Sequence, residues 1–108
     1  MTTVASHLIV ILCTAPDDAT AKSLATGLVE ANLAACVNAV PGVTSTYRWK
    51  GAIETDSEVQ LLIKTRRERF DEVAAWVTKH HPYDVPEIVA LDVEAVSQAY
   101  GNWLTSAL

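Results

Sequence analysis

The sequence has 108 residues, of which 50% are hydrophobic and 19% are charged. This length and composition predict one domain, over residues 1–108, with a real hydrophobic core. Thirteen Asp and Glu outnumber eight Lys and Arg, and the formal net charge is −5. The acidic balance argues against binding nucleic acid or an anionic membrane surface, because both partners select basic surfaces.

The first predicted element is a strand over the continuous apolar run from His7 to Cys13. A signal-peptide core has a similar composition, but here no Lys or Arg precedes the run and a helix follows it directly. No apolar run reaches the roughly 18 residues of a membrane-spanning helix. We therefore expect a cytoplasmic protein in which Cys13 and Cys36 are reduced thiols.

Three helices are predicted from apolar residues at helical spacing, over residues 16–31, from about residue 66 to near Lys79, and over residues 96–107. Capping boxes are predicted at the start of the first two helices. The proposed capping pairs are Thr14 with Asp17 and Thr65 with Glu68.

A long β-hairpin is predicted between the first two helices, with arms over residues 37–49 and 53–64. Lys50-Gly51 is a plausible turn, and a bulge is expected at Pro41-Gly42 because proline cannot donate to the ladder. Each arm is longer than the five or six residues that are usual. Part of the hairpin should therefore project beyond its own core, where its exposed edge can pair with another chain.

A last strand over residues 87–93 completes the order βαββαβ, followed by the C-terminal helix. This order predicts an α+β fold, a ferredoxin-like sandwich with an extended β-hairpin. We expect the first and third strands to be central and parallel, with the fourth antiparallel beside the first. The end of the first strand, at Cys13, should then lie next to the residues just after His80 and His81.

The stretch "HHPYDVPEI" from His80 to Ile88 cannot continue a helix, because its two prolines break one. Together with Cys13, the histidines His80 and His81 form a donor set that suits copper or zinc. A cysteine at a strand end is also typical of a small core residue, and adjacent histidines on a strand point to opposite faces. A nucleophile–base pair of Cys13 with a histidine is a further alternative, although no orienting group can be identified.

Two aromatic residues, Tyr47 and Trp49, share one face of the second strand. Such a face can stack RNA bases, but the acidic charge favours a subunit interface, where Tyr and Trp are enriched. Glu58 and Lys64 are expected to accompany them in a pocket between subunits. The alternating acids Glu54, Asp56 and Glu58 also permit a hydrolase interpretation, whereas a solvated strand face is the more ordinary explanation.

Five motifs in order, "LCTAPD", "LAACVN", "YRWKGAIE", "EVQLLIKT" and "HHPYDVPEI", resemble those of the CutA divalent-cation-tolerance family. The resemblance extends from Ile9 to Leu104. It implies a ferredoxin-like fold and a homotrimer in which neighbouring hairpins pair. It also implies a metal-binding rather than an enzymatic function, with no catalytic residues and a response to copper or to another divalent cation such as zinc.

The ligands that this resemblance implies are Cys13, His80 and His81. Some relatives carry a further cysteine in the second helix, at a place that Trp76 occupies here, and Cys36 is expected to be a core residue. The trimeric form also resembles that of PII-type signalling proteins. The alternative is therefore a module that binds small ligands between subunits, with incidental metal binding.

Overall fold

The fold is a four-stranded antiparallel sheet with helices packed against it, in a computed structural model that describes residues 7–108. Two long strands form the predicted hairpin, and the fourth strand is short. The strands are β1 (Leu8–Ala15), β2 (Cys36–Trp49), β3 (Ala52–Arg66) and β4 (Val89–Asp92). The helices are α1 (Asp18–Glu30), α2 (Phe70–His80) and α3 (Gln98–Ser106).

The sheet has the strand order β2-β3-β1-β4, which is the ferredoxin-like arrangement predicted from the element order. The expectation that β1 and β3 run parallel is wrong, because their register is antiparallel, with Ile11 opposite Ile63. The reason is connectivity: the crossover through α1 leaves β2 parallel to β1, and β3, the returning arm of a tight hairpin, must oppose both. The fourth strand is antiparallel beside β1, as expected, with Leu12 opposite Val89.

The hydrophobic core lies between one face of the sheet and the helices α1 and α2. Alternate residues of the central strands point to this face, including Ile11, Cys13 and Ile63, which are fully buried. The helices contribute Leu28 and Val77 to the same cluster. Cys36 is not part of it: the residue is half-buried and pairs with Lys64, on the opposite face. The expectation that Cys36 is a core residue is therefore wrong.

The hairpin extends well beyond this core, as predicted. Residues 59–66 of β3 pair with β1, whereas residues 52–58 pair with β2 alone, and the molecule measures 49 × 25 × 24 Å. The turn has Lys50 and Gly51 at φ 50° and 83°, the two positive values that a two-residue type I′ turn requires. The register shifts between Val40 and Val43, which confirms the expected bulge.

The helix starts differ from the predicted capping boxes. Asp17 is the cap of α1, since its carboxylate accepts from the Thr20 N–H at 2.7 Å, while Thr14 belongs to β1. Thr65 caps nothing; it is buried in β3, and its hydroxyl donates to the Leu33 carbonyl at 2.7 Å. Pairing with β1 prolongs β3 through Arg66, so α2 begins only after a 3-10 turn over residues 67–69.

Candidate ligand cavity and histidine pair

The predicted rim site is built by the connection from α2 to β4, which runs past the end of β1. The last bond of α2 is donated by the His81 N–H to the Val77 carbonyl at 2.8 Å. Pro82 and Pro86 lack the N–H that would extend the helix, so the chain leaves it directly after His81. The end of α2 and the end of β1 thus meet at one edge of the molecule.

His81 is a buried residue whose two ring nitrogens both have partners. Nε2 donates to the Thr14 carbonyl at 2.8 Å, and Nδ1 accepts from the Tyr83 N–H at 3.1 Å. The contact with Thr14 confirms that this part of the chain lies at the end of β1. Because neither nitrogen keeps a free lone pair, His81 fastens the loop to the sheet in this arrangement and offers no metal donor.

His80 is exposed and has the opposite arrangement. Its Nδ1 donates to the Trp76 carbonyl at 2.7 Å, and its ring stacks on the Trp76 indole with centroids 4.0 Å apart. A carbonyl on Nδ1 fixes the tautomer in which Nε2 carries the lone pair. His80 can therefore offer one oriented imidazole donor at the surface.

Cys13 faces the helices and has no exposed surface. Burial, with smaller contributions from the carboxylates of Glu87 and Glu58, raises the pKa of the Cys13 thiol to about 12. A thiol ligates metal, or attacks as a nucleophile, in its deprotonated form, which this environment disfavours. Neither the metal interpretation nor the nucleophile–base interpretation fits this side chain as it lies.

The three residues of the predicted metal set thus lie near one rim but do not converge. Cys13 points into the core, the nitrogens of His81 are both bonded, and His80 points to solvent. Within residues 7–108, no group of three or more His, Cys, Asp or Glu side chains is arranged to hold a metal ion. Of the three predicted ligands, only His80 therefore has a donor atom available in this arrangement.

A cavity of about 700 Å³ opens on the other side of the loop, against the hairpin. Three residues of the predicted pocket line it, Tyr47, Trp49 and Glu58. The fourth, Lys64, lies elsewhere: its ammonium is 3.3 Å from the Tyr100 hydroxyl and 5.4 Å from the ring centroid. The rest of the lining comes from β1, β2 and the loop after α2, namely Thr14, Ser45, Thr46, Pro82, Tyr83, Asp84, Val85 and Glu87.

Glu58 is the buried acid of this cavity, with 7% of its surface exposed. The Tyr83 hydroxyl donates to it at 2.7 Å, and the Tyr47 hydroxyl donates to Asp56. The bond to Asp56 raises the pKa of Tyr47 to about 12, while burial and the bond to Glu58 raise the pKa of Tyr83. Both phenols therefore stay neutral donors, and the expected solvated strand face does not apply to Glu58.

Tyr83 lines the cavity, but the sequence pattern does not identify it as a site residue. Its ring lies 4.7 Å from that of His81, and its hydroxyl reaches Glu58 on a strand 25 positions earlier. No local periodicity marks this contact. The tyrosine directly after the histidines and proline of "HHPY" is the only signal that the sequence offers.

Known proteins similar to this chain agree with the fold. The family model described as "CutA1 divalent ion tolerance protein" matches residues 9–107. The divalent-cation tolerance protein CutA of Yersinia pestis (strain Pestoides F) is 43% identical over 103 residues, which cover 95% of this chain and 87% of that protein.

Two solved structures illustrate the likeness. The divalent cation tolerance protein Cut A1 from Thermus thermophilus has a TM-score of 0.90 and 45% identity, covering 93% of this chain and 97% of that one. The periplasmic divalent cation tolerance protein CutA from Archaeoglobus fulgidus has a TM-score of 0.90 and 36% identity, covering 93% and 97%. The chain belongs to the CutA1 divalent ion tolerance family.

Proposed function

We propose that this protein acts in divalent-cation tolerance as a homotrimer that binds metal ions, copper above all, and not as an enzyme. The observation that carries the proposal is the family match over residues 9–107. Burial of the Cys13 thiol supports the non-enzymatic part, since Cys13 is the nucleophile that the sequence suggested.

The proposed metal donors are Cys13, His80 and His81. They differ in how readily each can offer a lone pair to a metal ion. His80 would bind first, because its Nε2 is free and oriented, and imidazole suits both copper and zinc. His81 and Cys13 would join only after the loop releases the Thr14 carbonyl and the thiol loses its proton. Because residues 7–108 contain no group of three or more donors in the resting arrangement, the proposed site would draw a further donor from another copy of the chain.

Calorimetric titration of Cu²⁺, Cu⁺ and Zn²⁺ into variants tests this proposal. We expect His80→Ala to weaken binding by at least about tenfold, as loss of one ligand does. The matched control is His7→Ala, which removes another exposed histidine. Loss in Cys13→Ala and His81→Ala as well would extend the site to three ligands. Equal binding by all four variants and the wild type would refute the assignment.

The proposed trimer is supported by apolar surface that this subunit leaves open. The sheet face away from α1 and α2 exposes Val89 and Leu91 of the edge strand β4, beside the half-buried Leu12 and Leu62. At the hairpin tip, Ile53 is 61% exposed. Sedimentation equilibrium at micromolar concentration should give three times the mass of the chain, and a monomer there would overturn the proposal.

We further propose a cytoplasmic location, which two free cysteines support. Within residues 7–108, no helix has the length and apolar character needed to cross a membrane. One similar structure, that from Archaeoglobus fulgidus, is described as periplasmic. Cell fractionation with compartment markers tests the location, and recovery in the periplasmic fraction would refute it.

A second candidate function is small-ligand binding, which the cavity beside Glu58 favours. Its volume of about 700 Å³ lies within the range of ordinary ligand pockets, and a few polar groups converge on an aromatic lining. In this function, metal binding at His80 would be incidental.

A further inference from the structure

The cavity beside Glu58 carries negative charge that forms no ion pair with any residue in the described part of the chain. Three carboxylates line it, Glu58, Asp84 and Glu87, whereas no Lys, Arg or His does so among the described residues. The ion pairs found in residues 7–108 involve none of these three acids. Their field also reaches the core, since Glu87 and Glu58 contribute to the raised pKa of Cys13.

Glu58 is the strongest part of this feature, because it is more than nine-tenths buried. A buried carboxylate is costly unless hydrogen bonds or an opposite charge compensate it. Tyr83 supplies one hydrogen bond, to Oε2, at 2.7 Å. That bond is neutral, and no Lys, Arg or His among residues 7–108 forms an ion pair with Glu58. The Lys50 ammonium lies 5.8 Å from the centroid of the Trp49 ring, but it is not paired with the carboxylate.

The aromatic residues that line the cavity favour an organic ammonium ion over a metal ion as its ligand. Tyr47, Trp49 and Tyr83 contribute ring surface to the same cavity as the acids. The faces of such rings attract ammonium groups, an attraction used where proteins recognise organic cations. A metal ion would instead need several converging donors, and the described residues contain no such group.

We propose that this cavity binds a small organic ammonium ion, with Glu58 as the counter-charge and the rings of Trp49, Tyr47 and Tyr83 as its walls. This inference rests on the second candidate function, small-ligand binding, and specifies the class of the ligand. It is independent of metal binding at His80, which is on the far side of the loop and lines a different groove.

Three probes of the same shape and different charge test the inference by calorimetry on the full-length protein. They are choline, its neutral isostere 3,3-dimethylbutan-1-ol, and the anion 3,3-dimethylbutanoate. We expect choline to bind with a Kd of about 1 mM or lower, and the neutral and anionic probes to bind at least about tenfold more weakly. Raising the salt concentration should weaken the choline complex, because screening reduces its charge interaction.

Two variants and one control locate the binding. Glu58→Gln keeps an oxygen to accept from Tyr83 but removes the charge, and should weaken choline binding by at least about tenfold. Trp49→Leu alters an exposed position at the hairpin tip, so it should fold normally and still weaken binding. Glu94→Gln removes one exposed carboxylate outside the cavity and should change nothing.

The outcomes separate the ligand class from the pocket. If the neutral or anionic probe bound more tightly than choline, and Trp49→Leu abolished that binding, the ammonium assignment would be overturned. Small-ligand binding by the cavity would still stand. No binding of any probe would overturn both, as expected if a cationic side chain of a neighbouring copy fills the cavity. Equal choline binding by Glu58→Gln and the wild type would also overturn the assignment.

Discussion

The two halves of the hairpin have the same alternating pattern and opposite surroundings. At its base, Leu61 and Ile63 are 1% and 0% exposed beneath the helices. At its tip, Trp49 and Ile53 are 42% and 61% exposed. Among the described residues, the two arms pair there only with each other. Alternation fixes which residues share a face but does not determine what covers that face. The base therefore stabilises the fold of the chain, while the tip leaves apolar surface exposed.

The loop after α2 joins these two halves. His81 attaches it to β1 through the Thr14 carbonyl, and Tyr83 attaches it to Glu58 at the start of the tip. The cavity lies along this junction, so its shape depends on both attachments. The rigid connector thus positions one wall of the candidate ligand site.

The largest expected difference between the two halves comes from truncating one isoleucine in each. Ile63→Ala should lower the free energy of unfolding by about 2–5 kcal/mol, because it leaves a cavity in the core. Ile53→Ala should have little effect on the subunit itself, since exposed positions usually change stability by less than about 0.5 kcal/mol. Urea unfolding at two protein concentrations measures both.

The two isoleucine variants should also differ in how their stability depends on protein concentration. In the proposed trimer, the exposed Ile53 contacts another copy of the chain, so any loss in Ile53→Ala should depend on protein concentration. A loss as large as that of Ile63→Ala at every concentration would contradict the division into a stabilising base and an exposed tip.

The adjacent histidines at the junction should differ next. His81→Ala leaves the buried Thr14 carbonyl and the Tyr83 N–H without their partner and should cost about 1–3 kcal/mol. His80→Ala, the matched control, removes an exposed ring that stacks on Trp76 and should cost less, about 0.5–1 kcal/mol. Chemical denaturation compares the two, and equal losses would mean that His81 does not fasten the loop.

Much of the fold was predictable because it depends on local signals. The order of elements, the turn at Lys50-Gly51 and the bulge after Val40 all follow from spacing, glycine and proline. The prediction for the direction of β3 relative to β1 is wrong, although two connections together determine it: the crossover through α1 leaves β2 parallel to β1, and the hairpin then reverses β3. The extension of β3 through Arg66 was not predictable locally, since it depends on pairing with Leu8.

The candidate site was less predictable, because it depends on side-chain direction. Topology brings Cys13 and His81 to the same rim, but a strand residue points to one face or the other, and only the packed helices decide which face is buried. Lys64 is predicted to lie with Glu58 in a pocket between subunits, and within the chain its ammonium contacts the Tyr100 hydroxyl of α3. Neither Lys64 nor Tyr100 carries a local sequence signal that predicts where α3 packs against the sheet.

A smaller effect is expected where the two helices touch on the covered side. A Cβ added at Gly27 would lie 2.5 Å from Cζ2 of Trp76, so the indole must move and its stacking on His80 must change. Crowding of this kind costs about 1–3 kcal/mol, whereas alanine favours the helix by about 1 kcal/mol. Gly27→Ala should therefore be mildly destabilising.

The sign should reverse when the indole is absent. In a Trp76→Ala background, Gly27→Ala should stabilise by up to about 1 kcal/mol, because only the helix preference remains. Thermal unfolding of the four proteins in this double-mutant cycle measures the coupling. The same sign in both backgrounds would show that Trp76 does not crowd Gly27.

The smallest effect is expected at the exposed N-terminal cap of α1, a helix that covers the base of the hairpin. The bond from the Thr20 N–H lowers the pKa of Asp17 below its usual value. The stabilisation is therefore complete above the unfolded value of about 3.9 and disappears as the pH falls through the lower folded value. Asp17→Ala should lower the melting temperature at pH 7 by a few degrees.

The pH dependence of stability tests the role of the Asp17 charge. The difference in stability between the wild type and Asp17→Asn should change only in this acid range. Asp18→Asn removes a neighbouring exposed acid without a capping bond and should not reproduce that change. If the difference in stability between the wild type and Asp17→Asn did not depend on pH, the charge of Asp17 would take no part in capping α1.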